Sequence, residues 1–241
     1  MIVAEDLAKR FGDVEAVRGV SFEATDGRIT ALLGPNGAGK TTTLRMISTL
    51  VEPTRGRALV DGIDGRADPL AVRARIGILS DARGLYARLT ARENIAYYGA
   101  LRSMGGEAIE ASIARLADLL DMRALLDRRT DGFSQGERMK VAIARALVHD
   151  PPNVILDEPT GGLDVMTTRS LREAIRRLRG DGKCVLFSSH VMQEVSALCD
   201  EIVIVARGAV VARGAPGELV AASGRTSLED AFVALAGEVL A

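Results

Sequence analysis

The stretch RITALLGPNGAGKTT, residues 28–42, joins a short apolar run to a glycine-rich turn and then to helix-compatible residues. Within it, residues 34–41 match the pattern G-x-x-x-x-G-K-[ST] at every fixed position. A strand, a glycine-rich turn and a helix in this order are typical of the opening of a parallel α/β unit. Successive backbone N–H groups of such a turn can all point at phosphate oxygens. The stretch therefore predicts a phosphate-binding loop, with an incidental glycine turn as the alternative.

The residue types of this loop indicate how it would hold a nucleoside triphosphate. Gly37 and Gly39 lack a Cβ atom, which would limit the backbone angles and block the close approach of a phosphate. The helix that follows contributes the positive end of its dipole. Lys40 is predicted to contact the β- and γ-phosphates, and the hydroxyl group of Thr41 is predicted to bind Mg²⁺.

A second chemical motif is VILDEP, residues 154–159. A short β-branched run that ends in two acids is typical of a buried parallel strand, which delivers carboxylates to the edge of the sheet. Asp157 is predicted to hold Mg²⁺, directly or through water. Glu158 follows where the strand ends and is predicted to be the general base for a water molecule at the γ-phosphate. A solvated turn is the alternative interpretation.

The two histidines receive different interpretations. His190 ends the strand-like run VLFSSH, and the end of that strand would face the nucleotide if the strand belongs to the same parallel sheet. A structural role is the alternative, because a lone histidine after a strand is usually structural. His149 lies late in the helix that begins near Gln135, and it is predicted to be structural.

Composition narrows the class of protein. The 241 residues are 26% charged and 47% hydrophobic, which is typical of a globular chain. The formal net charge of -1 offers no broad basic field for nucleic acid. No apolar run is long enough to span a bilayer, and the opening MIVAEDLAKRF has no hydrophobic signal region. We therefore expect a chain that is soluble by itself.

Two smaller expectations concern particular side chains. Only two cysteines occur, which suggests a reducing cytoplasm, and Cys184 is predicted to be a small buried hydrophobe. A helix rich in arginine is predicted to present these side chains to solvent. The arginines concerned are Arg172, Arg176, Arg177 and Arg179.

Hydrophobic periodicity divides the chain into strand-rich and helix-rich parts. Strands are predicted, many of them antiparallel, in MIVAEDL, AVRGVSFEA and RALVDGID near the N-terminus. Further strands are predicted in RITALLG and RIGIL, and at Val154–Leu156, Val185–Phe187, Ile202–Ala206 and Ala209–Ala212. Helices are predicted within residues 90–127 with a break at Gly105-Gly106, at Thr167–Arg179, and in the tail SLEDAFVALAG.

Together these motifs resemble the nucleotide-binding subunit of ATP-binding cassette (ABC) transporters over nearly the whole chain. Residues 34–42 match the Walker A motif of that family, and residues 154–158 match Walker B with its catalytic acid. The run GGLD, residues 161–164, matches the D-loop, and His190 matches the switch histidine that contacts the γ-phosphate.

The stretch FSQGERMK, residues 133–140, occupies the place of the family signature LSGGQ. It keeps the fixed Ser134 and the second glycine, Gly136, and it has Gln135 where the family has the first glycine. In the family this corner closes on the ATP that the other copy holds. A local role is also open, because Ser134 with Glu137 three residues later forms the pattern of a helix capping box.

Two positions are assigned from the resemblance alone. Phe11 falls where family members place an aromatic side chain on adenine, and a core aromatic residue is the alternative. Asp81 stands where the family usually has a glutamine that reaches Mg²⁺ and the attacking water. Aspartate could ligate the metal but could not donate a hydrogen bond.

The resemblance implies an ATPase with ATP and Mg²⁺ as its ligands. The implied nucleotide-binding residues are Phe11, Gly34, Pro35, Asn36, Gly37, Ala38, Gly39, Lys40, Thr41, Thr42, Ser134, Gly136 and Asp164. The implied catalytic residues are Lys40, Glu158 and His190, and the implied metal ligands are Thr41, Asp81 and Asp157.

The implied fold is α/β: a P-loop NTPase core with a parallel sheet, an N-terminal antiparallel β subdomain and a helical signature subdomain. One ATP-binding domain would span residues 1–241, with the core at 1–85 and 150–215, the helical subdomain at 86–149 and a helical tail at 216–241.

The implied partners are a transmembrane permease and a second ATP-binding subunit, identical or not, at the cytoplasmic face of the membrane. No nucleic acid is expected. The stretch GLYARLTARENIAYYGALRSM and the tail SLEDAFVALAG resemble single-domain, export-type subunits of the sodium-extruding and drug-export kinds.

Two other functions are open. A soluble ABC ATPase could act on DNA or ribosomes, although this chain has a single P-loop and no long coiled-coil insertion. A non-catalytic, ATP-gated regulatory module is the second, since Asp81 departs from the family pattern.

Overall fold

In the computed structural model, which describes residues 1–80 and 84–240, ten strands form one sheet and nine α-helices accompany it. The strands are β1 (Ile2–Phe11), β2 (Val14–Ala24), β3 (Ile29–Leu33), β4 (Arg55–Val60), β5 (Ile63–Asp64), β6 (Ile76–Leu79), β7 (Asn153–Asp157), β8 (Cys184–Ser189), β9 (Glu201–Ala206) and β10 (Ala209–Gly214). The helices are α1 (Lys40–Ile47), α2 (Pro69–Arg75), α3 (Ala91–Leu101), α4 (Gly106–Leu119), α5 (Gln135–Leu147), α6 (Val165–Gly180), α7 (Met192–Leu198), α8 (Pro216–Ser223) and α9 (Leu228–Leu240).

The sheet has a parallel part and an antiparallel end, in the order β5-β4-β1-β2-β10-β9-β3-β8-β7-β6. Strands β9, β3, β8, β7 and β6 pair in parallel, whereas β2, β1, β4 and β5 pair antiparallel. β10 pairs antiparallel with β9 and meets β2 at a parallel bridge between Ala209 and Gly19. The predicted fold class, a parallel α/β core with an N-terminal antiparallel segment, is confirmed.

The parallel strands bring the chemical motifs to one edge of the sheet. β3, β7 and β8 are buried along their whole length and contribute to two apolar cores. Because the carboxyl ends of parallel strands meet at the same edge, the segments that follow these three strands lie side by side. They are the glycine-rich turn, the segment at Glu158 and the segment at His190.

Element boundaries differ from the predictions where local signals compete. The predicted helical region 90–127 divides into α3, α4 and a 3₁₀ turn at Arg123–Leu125. The sequence prediction misses α7 and the two-turn helix α2, in which Asp68 accepts a hydrogen bond from the N–H of Ala71 at 2.9 Å. Because Arg75 ends α2, the strand predicted from Arg75 begins at Ile76 as β6.

The predicted solvated arginine face of α6 is confirmed at Arg176, Arg177 and Arg179, which are exposed. It is wrong at Arg172, whose side chain is partly buried and lies 3.8 Å from a carboxylate oxygen of Glu194. Glu194 is buried in α7. A neighbouring cation lowers the cost of burying that charge, so Arg172 faces inward.

The structure bears on two expectations from composition, the burial of Cys184 and the lack of a membrane-spanning segment. Cys184 is buried as predicted, and burial raises the pKa of its thiol to about 12. In the part of the chain that the structure describes, no helix is long and apolar enough to cross a membrane.

His149 has the structural role that its position predicts. Its Nε2 atom lies 3.1 Å from the carbonyl oxygen of Ile76, which joins the end of α5 to the start of β6. Burial lowers the pKa of His149 from 6.5 to about 4, so the ring is neutral near pH 7 and Nε2 donates to that carbonyl.

We expect acid to destabilise the fold through His149. Its pKa is lower in the folded than in the unfolded chain, so the unfolded chain binds more protons below about pH 6.5, and the free energy of unfolding falls as the pH falls. From about pH 7 to about pH 5 the loss is about 2 kcal/mol. Urea unfolding at several pH values measures it. His149→Gln should lose this part of the pH dependence and His190→Gln should retain it; equal slopes for both variants would contradict the assignment.

Candidate nucleotide-binding site

The glycine-rich turn and the end of β7 surround a cavity of about 360 Å³. The residues that line it are Ala16, Asn36, Gly37, Ala38, Gly39, Lys40, Thr41, Thr42, Asp157 and Glu158. The turn connects β3 to α1, so the unpaired N–H groups at the start of α1 belong to this cavity. Most of the residues predicted to bind phosphate therefore line one space.

Two glycines allow the turn its shape. Gly37 and Gly39 have φ angles of 80° and 100°, in the left-handed region that L side chains rarely adopt. A Cβ atom on Gly39 would also lie 2.7 Å from the carbonyl oxygen of Ala16. Glycine is therefore required at position 39 by both backbone angle and space.

Lys40, the first residue of α1, is buried although it carries a charge. Its Nζ atom donates hydrogen bonds to the carbonyl oxygens of Gly34 at 2.7 Å and Pro35 at 3.2 Å. The same atom lies 3.5 Å from Oε1 of Glu158. The ammonium group is thus held between the loop and the end of β7, at the cavity.

Oxygen atoms suited to Mg²⁺ occur beside Lys40. The Thr41 hydroxyl lies 3.3 Å from Oδ1 of Asp157, and the Asp157 side chain is buried. Hydroxyl and carboxylate oxygens are ligands that Mg²⁺ prefers. The described residues contain no cluster of three or more His, Cys, Asp or Glu that could hold a metal by itself. This donor set fits an ion that takes its remaining ligands from phosphate and water.

Glu158 and His190 form a pair at the edge of the sheet. Nδ1 of His190 lies 2.9 Å from Oε2 of Glu158, and the histidine side chain is half exposed. Glu158 has a φ angle of 48°, a left-handed backbone that is uncommon for glutamate. Strained backbone of this kind is frequent at functional sites, and here it turns the chain immediately after the buried strand.

Ser188 is a site residue that the sequence interpretation misses. Its hydroxyl donates to Oδ1 of Asp157 at 2.5 Å and accepts from the N–H of Glu158 at 3.0 Å. It lies opposite Asp157 in the register of β7 and β8. A buried serine in the run VLFSSH is a weak signal for this role, because the contact depends on strand register.

The signature corner, residues 133–137, lies at the start of α5. The Ser134 hydroxyl accepts from the N–H of Glu137 at 3.2 Å, and Glu137 accepts from the N–H of Ser134 at 2.8 Å. These bonds, with Arg128 nearby, hold the pKa of Glu137 below its usual value. The capping box is therefore present, and both Ser134 and Gln135 remain exposed.

Several predicted site residues are not among those that line the cavity. Among the residues described, those that do not line it are Phe11, Gly34, Pro35, Ser134, Gly136, Asp164 and His190. The side chain of Phe11 is 49% exposed at the end of β1, which excludes the alternative of a core aromatic. Asp164 caps α6 by accepting from the N–H of Thr167 at 2.9 Å. Asp81 lies outside the described residues.

A glycine-rich turn between a parallel strand and a helix, with a buried aspartate ending a neighbouring strand, defines the class of P-loop nucleoside triphosphatases. Within that class the chain belongs to the ABC transporter family, whose family model matches residues 17–161. That match runs from β2 through the P-loop and the signature corner to the residues after Glu158.

Similar proteins support this assignment. The ABC transporter ATP-binding protein NatA of Bacillus subtilis is 47% identical over 220 residues, which cover 89% of this chain and 89% of that protein. The Nod factor export ATP-binding protein I of Burkholderia lata is 36% identical over 215 residues, 89% of this chain and 71% of that protein. A dimeric ATP-binding cassette in a post-hydrolysis state with ADP and Pi is 25% identical, with a TM-score of 0.81 over 89% of this chain and 98% of that chain. The chain is an ATP-binding subunit of an ABC transporter and an ATPase.

Proposed function

We propose that this chain hydrolyses MgATP in a site completed by a second ATP-binding subunit, and that the reaction powers export through a transmembrane permease. The observation that carries the proposal is the Glu158 carboxylate beside the P-loop cavity, 2.9 Å from Nδ1 of His190 and 3.5 Å from Nζ of Lys40. A carboxylate held there is suited to accept a proton from water beside the γ-phosphate.

Nucleotide binding is proposed to use the P-loop backbone and two side chains. The N–H groups of the turn and of α1 hold the phosphates, and Lys40 turns from its loop carbonyls to the β- and γ-phosphates. Thr41 and Asp157 would hold Mg²⁺, which would supply positive charge that offsets the charge of the phosphates. Asp81 is proposed as a further oxygen ligand. Phe11 is proposed to stack on adenine, because its ring is exposed at the end of β1.

Hydrolysis is proposed to depend on Glu158 and His190. Glu158 accepts a proton from the attacking water as the oxygen–phosphorus bond forms and the bond to the ADP oxygen breaks. His190, whose Nδ1 atom lies beside Glu158, contacts the γ-phosphate. Lys40 stabilises the charge that develops on the transferred group. Ser188 orients both acids by bonding Asp157 and the backbone of Glu158.

The composite site rests on the position of the signature corner. Within the part of the chain that the structure describes, Ser134 and Gly136 are not among the residues that line the P-loop cavity. Ser134 is exposed at the N-terminal end of α5, where a hydroxyl and the positive end of the helix dipole favour an anion. The γ-phosphate of ATP on a second subunit, identical or homologous, is the ligand proposed for this corner, with Asp164 beside it.

A permease partner and export are proposed from the relatives. NatA is named as a transporter ATP-binding protein and the Burkholderia lata relative as an export protein. We propose that the chain acts at the cytoplasmic face of the cell membrane through its permease. A soluble ATPase acting on ribosomes or DNA is not favoured by these comparisons.

We expect Ser134→Arg to reduce the ATPase rate by about tenfold at a fixed protein concentration. The larger, positively charged arginine side chain would obstruct closure of the signature corner on the other subunit. The P-loop of the same chain is unchanged. The specific activity of the wild-type chain should rise with protein concentration because the active form is a dimer. Phosphate release measured over a range of concentrations tests both expectations.

A matched control is Ser196→Arg, which makes the same change at an exposed position of α7. It should leave the rate unchanged. ATP binding by monomeric Ser134→Arg, measured with a fluorescent nucleotide, should equal that of the wild type. Specific activity independent of concentration, together with a fully active Ser134→Arg variant, would overturn the composite site.

A further inference from the structure

Gln135 connects two exposed segments that are 26 residues apart in sequence. It lies in the signature corner, and its Nε2 atom donates a hydrogen bond to the carbonyl oxygen of Gly161 at 3.0 Å. Gly161 is the first residue of the D-loop, residues 161–164. The glycine that the family signature has at this position has no side chain with which to make such a bond.

The Gln135 amide also packs closely on the next residue of the D-loop. A Cβ atom on Gly162 would lie 2.8 Å from Nε2 and 3.3 Å from Oε1 of Gln135, and Gly162 has a φ angle of 73°. Only glycine allows both this backbone conformation and this approach of the amide. The side chain therefore touches the D-loop through a hydrogen bond and through van der Waals contact.

A second close approach supports the same arrangement. A Cβ atom on Gly136 would lie 2.8 Å from Cγ2 of Thr167, so the first turns of α5 and α6 are in direct contact. Thr167 in turn donates through its hydroxyl to Oδ2 of Asp164 at 2.6 Å, at the end of the D-loop. The signature corner thus contacts the start of the D-loop directly through Gln135. It also contacts Thr167, which is bonded to Asp164 at the end of the D-loop.

The start of the D-loop is also tied to the catalytic segment. The N–H of Gly161 donates to the carbonyl oxygen of Glu158 at 3.2 Å. A bond at the Gly161 carbonyl therefore restrains the turn that directly follows the general base.

We propose that Gln135 is a positioning residue that fastens the D-loop to the signature corner, so that both segments meet the partner subunit's nucleotide as one rigid surface. This inference rests on the proposed composite site. Gln135 acts within its own chain, and its loss lowers the probability that the two segments are correctly placed when the dimer closes.

The test replaces Gln135 with Met, which has similar length and no hydrogen-bond donor. Gln193→Met is the matched control, because Gln193 is the other glutamine of the chain and is exposed on α7. We expect Gln135→Met to lower kcat three- to tenfold, about the effect of one exposed hydrogen bond, and to leave ATP binding by the monomer unchanged. Gln193→Met should match the wild type in both.

Two further measurements separate positioning from a general loss of stability. Hydrogen exchange of the D-loop amides in the nucleotide-free monomer should be faster in Gln135→Met than in Gln193→Met. In a Glu158→Gln background, ATP-driven dimerisation followed by sedimentation should weaken by about the same three- to tenfold factor.

The outcomes are distinguishable. Faster exchange with unchanged kcat and dimerisation would overturn the positioning role while leaving the composite site intact. Unchanged hydrogen exchange would show that the Gln135 side chain does not restrain the D-loop, and this result would also overturn the positioning role. A wild-type chain that neither dimerises with ATP nor gains activity with concentration would overturn the proposed composite site and this inference with it.

Discussion

Glu158→Gln is expected to lower the ATPase kcat by a factor of about 10² to 10⁴, the usual contribution of a general base. Glutamine has nearly the same shape as glutamate, but its amide cannot accept the proton of the attacking water. The phosphates are proposed to be held by the glycine-rich turn and α1, whereas Glu158 follows β7 and lies 3.5 Å from Nζ of Lys40. ATP should therefore still bind, and the ATP-bound dimer should accumulate. Phosphate release and nucleotide binding measured on the same preparation test both parts.

The control for this change is Glu173→Gln, on the exposed face of α6. Glu173 forms an exposed ion pair with Arg169, and such pairs contribute little to stability. The control should hydrolyse ATP at the wild-type rate. If Glu158→Gln also retained wild-type kcat, Glu158 would not be the base, and the role would pass to another group at the cavity.

Lys40→Met is expected to weaken ATP binding by about ten- to a hundredfold and to lower kcat/KM by about a thousandfold. The variant removes a charged donor from the phosphates in both the bound state and the transition state. Methionine nearly preserves the volume of the buried side chain, so the fold should persist. Binding of a fluorescent ATP analogue and steady-state phosphate release measure the two effects.

Lys183→Met is a suitable comparison. Lys183 lies just before β8, at the opposite edge of the sheet from the P-loop, and its Nζ atom donates to Asp150 at 2.8 Å. This variant loses a charge and an ion pair but should bind ATP as the wild type does. Unchanged ATP affinity in Lys40→Met would contradict the phosphate role, provided that circular dichroism shows both variants folded.

Much of the candidate site could be predicted because its parts are short and contiguous. The positive φ angles of Gly37 and Gly39 follow from backbone sterics within one turn, and glycine is the residue that permits them. The order of a strand, this turn and a helix then predicts a parallel unit. VILDEP similarly indicates a strand that ends in acids, and β7 ends at Asp157.

Other parts could not be predicted because they depend on contacts between distant segments. Ser188 contacts Asp157 only through the register of β7 against β8. Arg172 is partly buried because the buried Glu194 of α7 lies beside it, and α7 has only 7 residues, too few to show a helical period. The boundary between α2 and β6 lies after Arg75, and its position depends on how the helix packs against the strand.

The sequence by itself determined the parallel α/β class, the phosphate-binding loop, and the two acids at the end of β7, Asp157 and Glu158. Each depends on stereochemistry within a few neighbouring residues. Tertiary structure alone decided that Lys40 and His190 both approach Glu158, and that Gln135 reaches Gly161. Those contacts need the sheet and the first turns of α5 and α6 in place. They arise from strand register and close packing, which no local pattern of residues encodes.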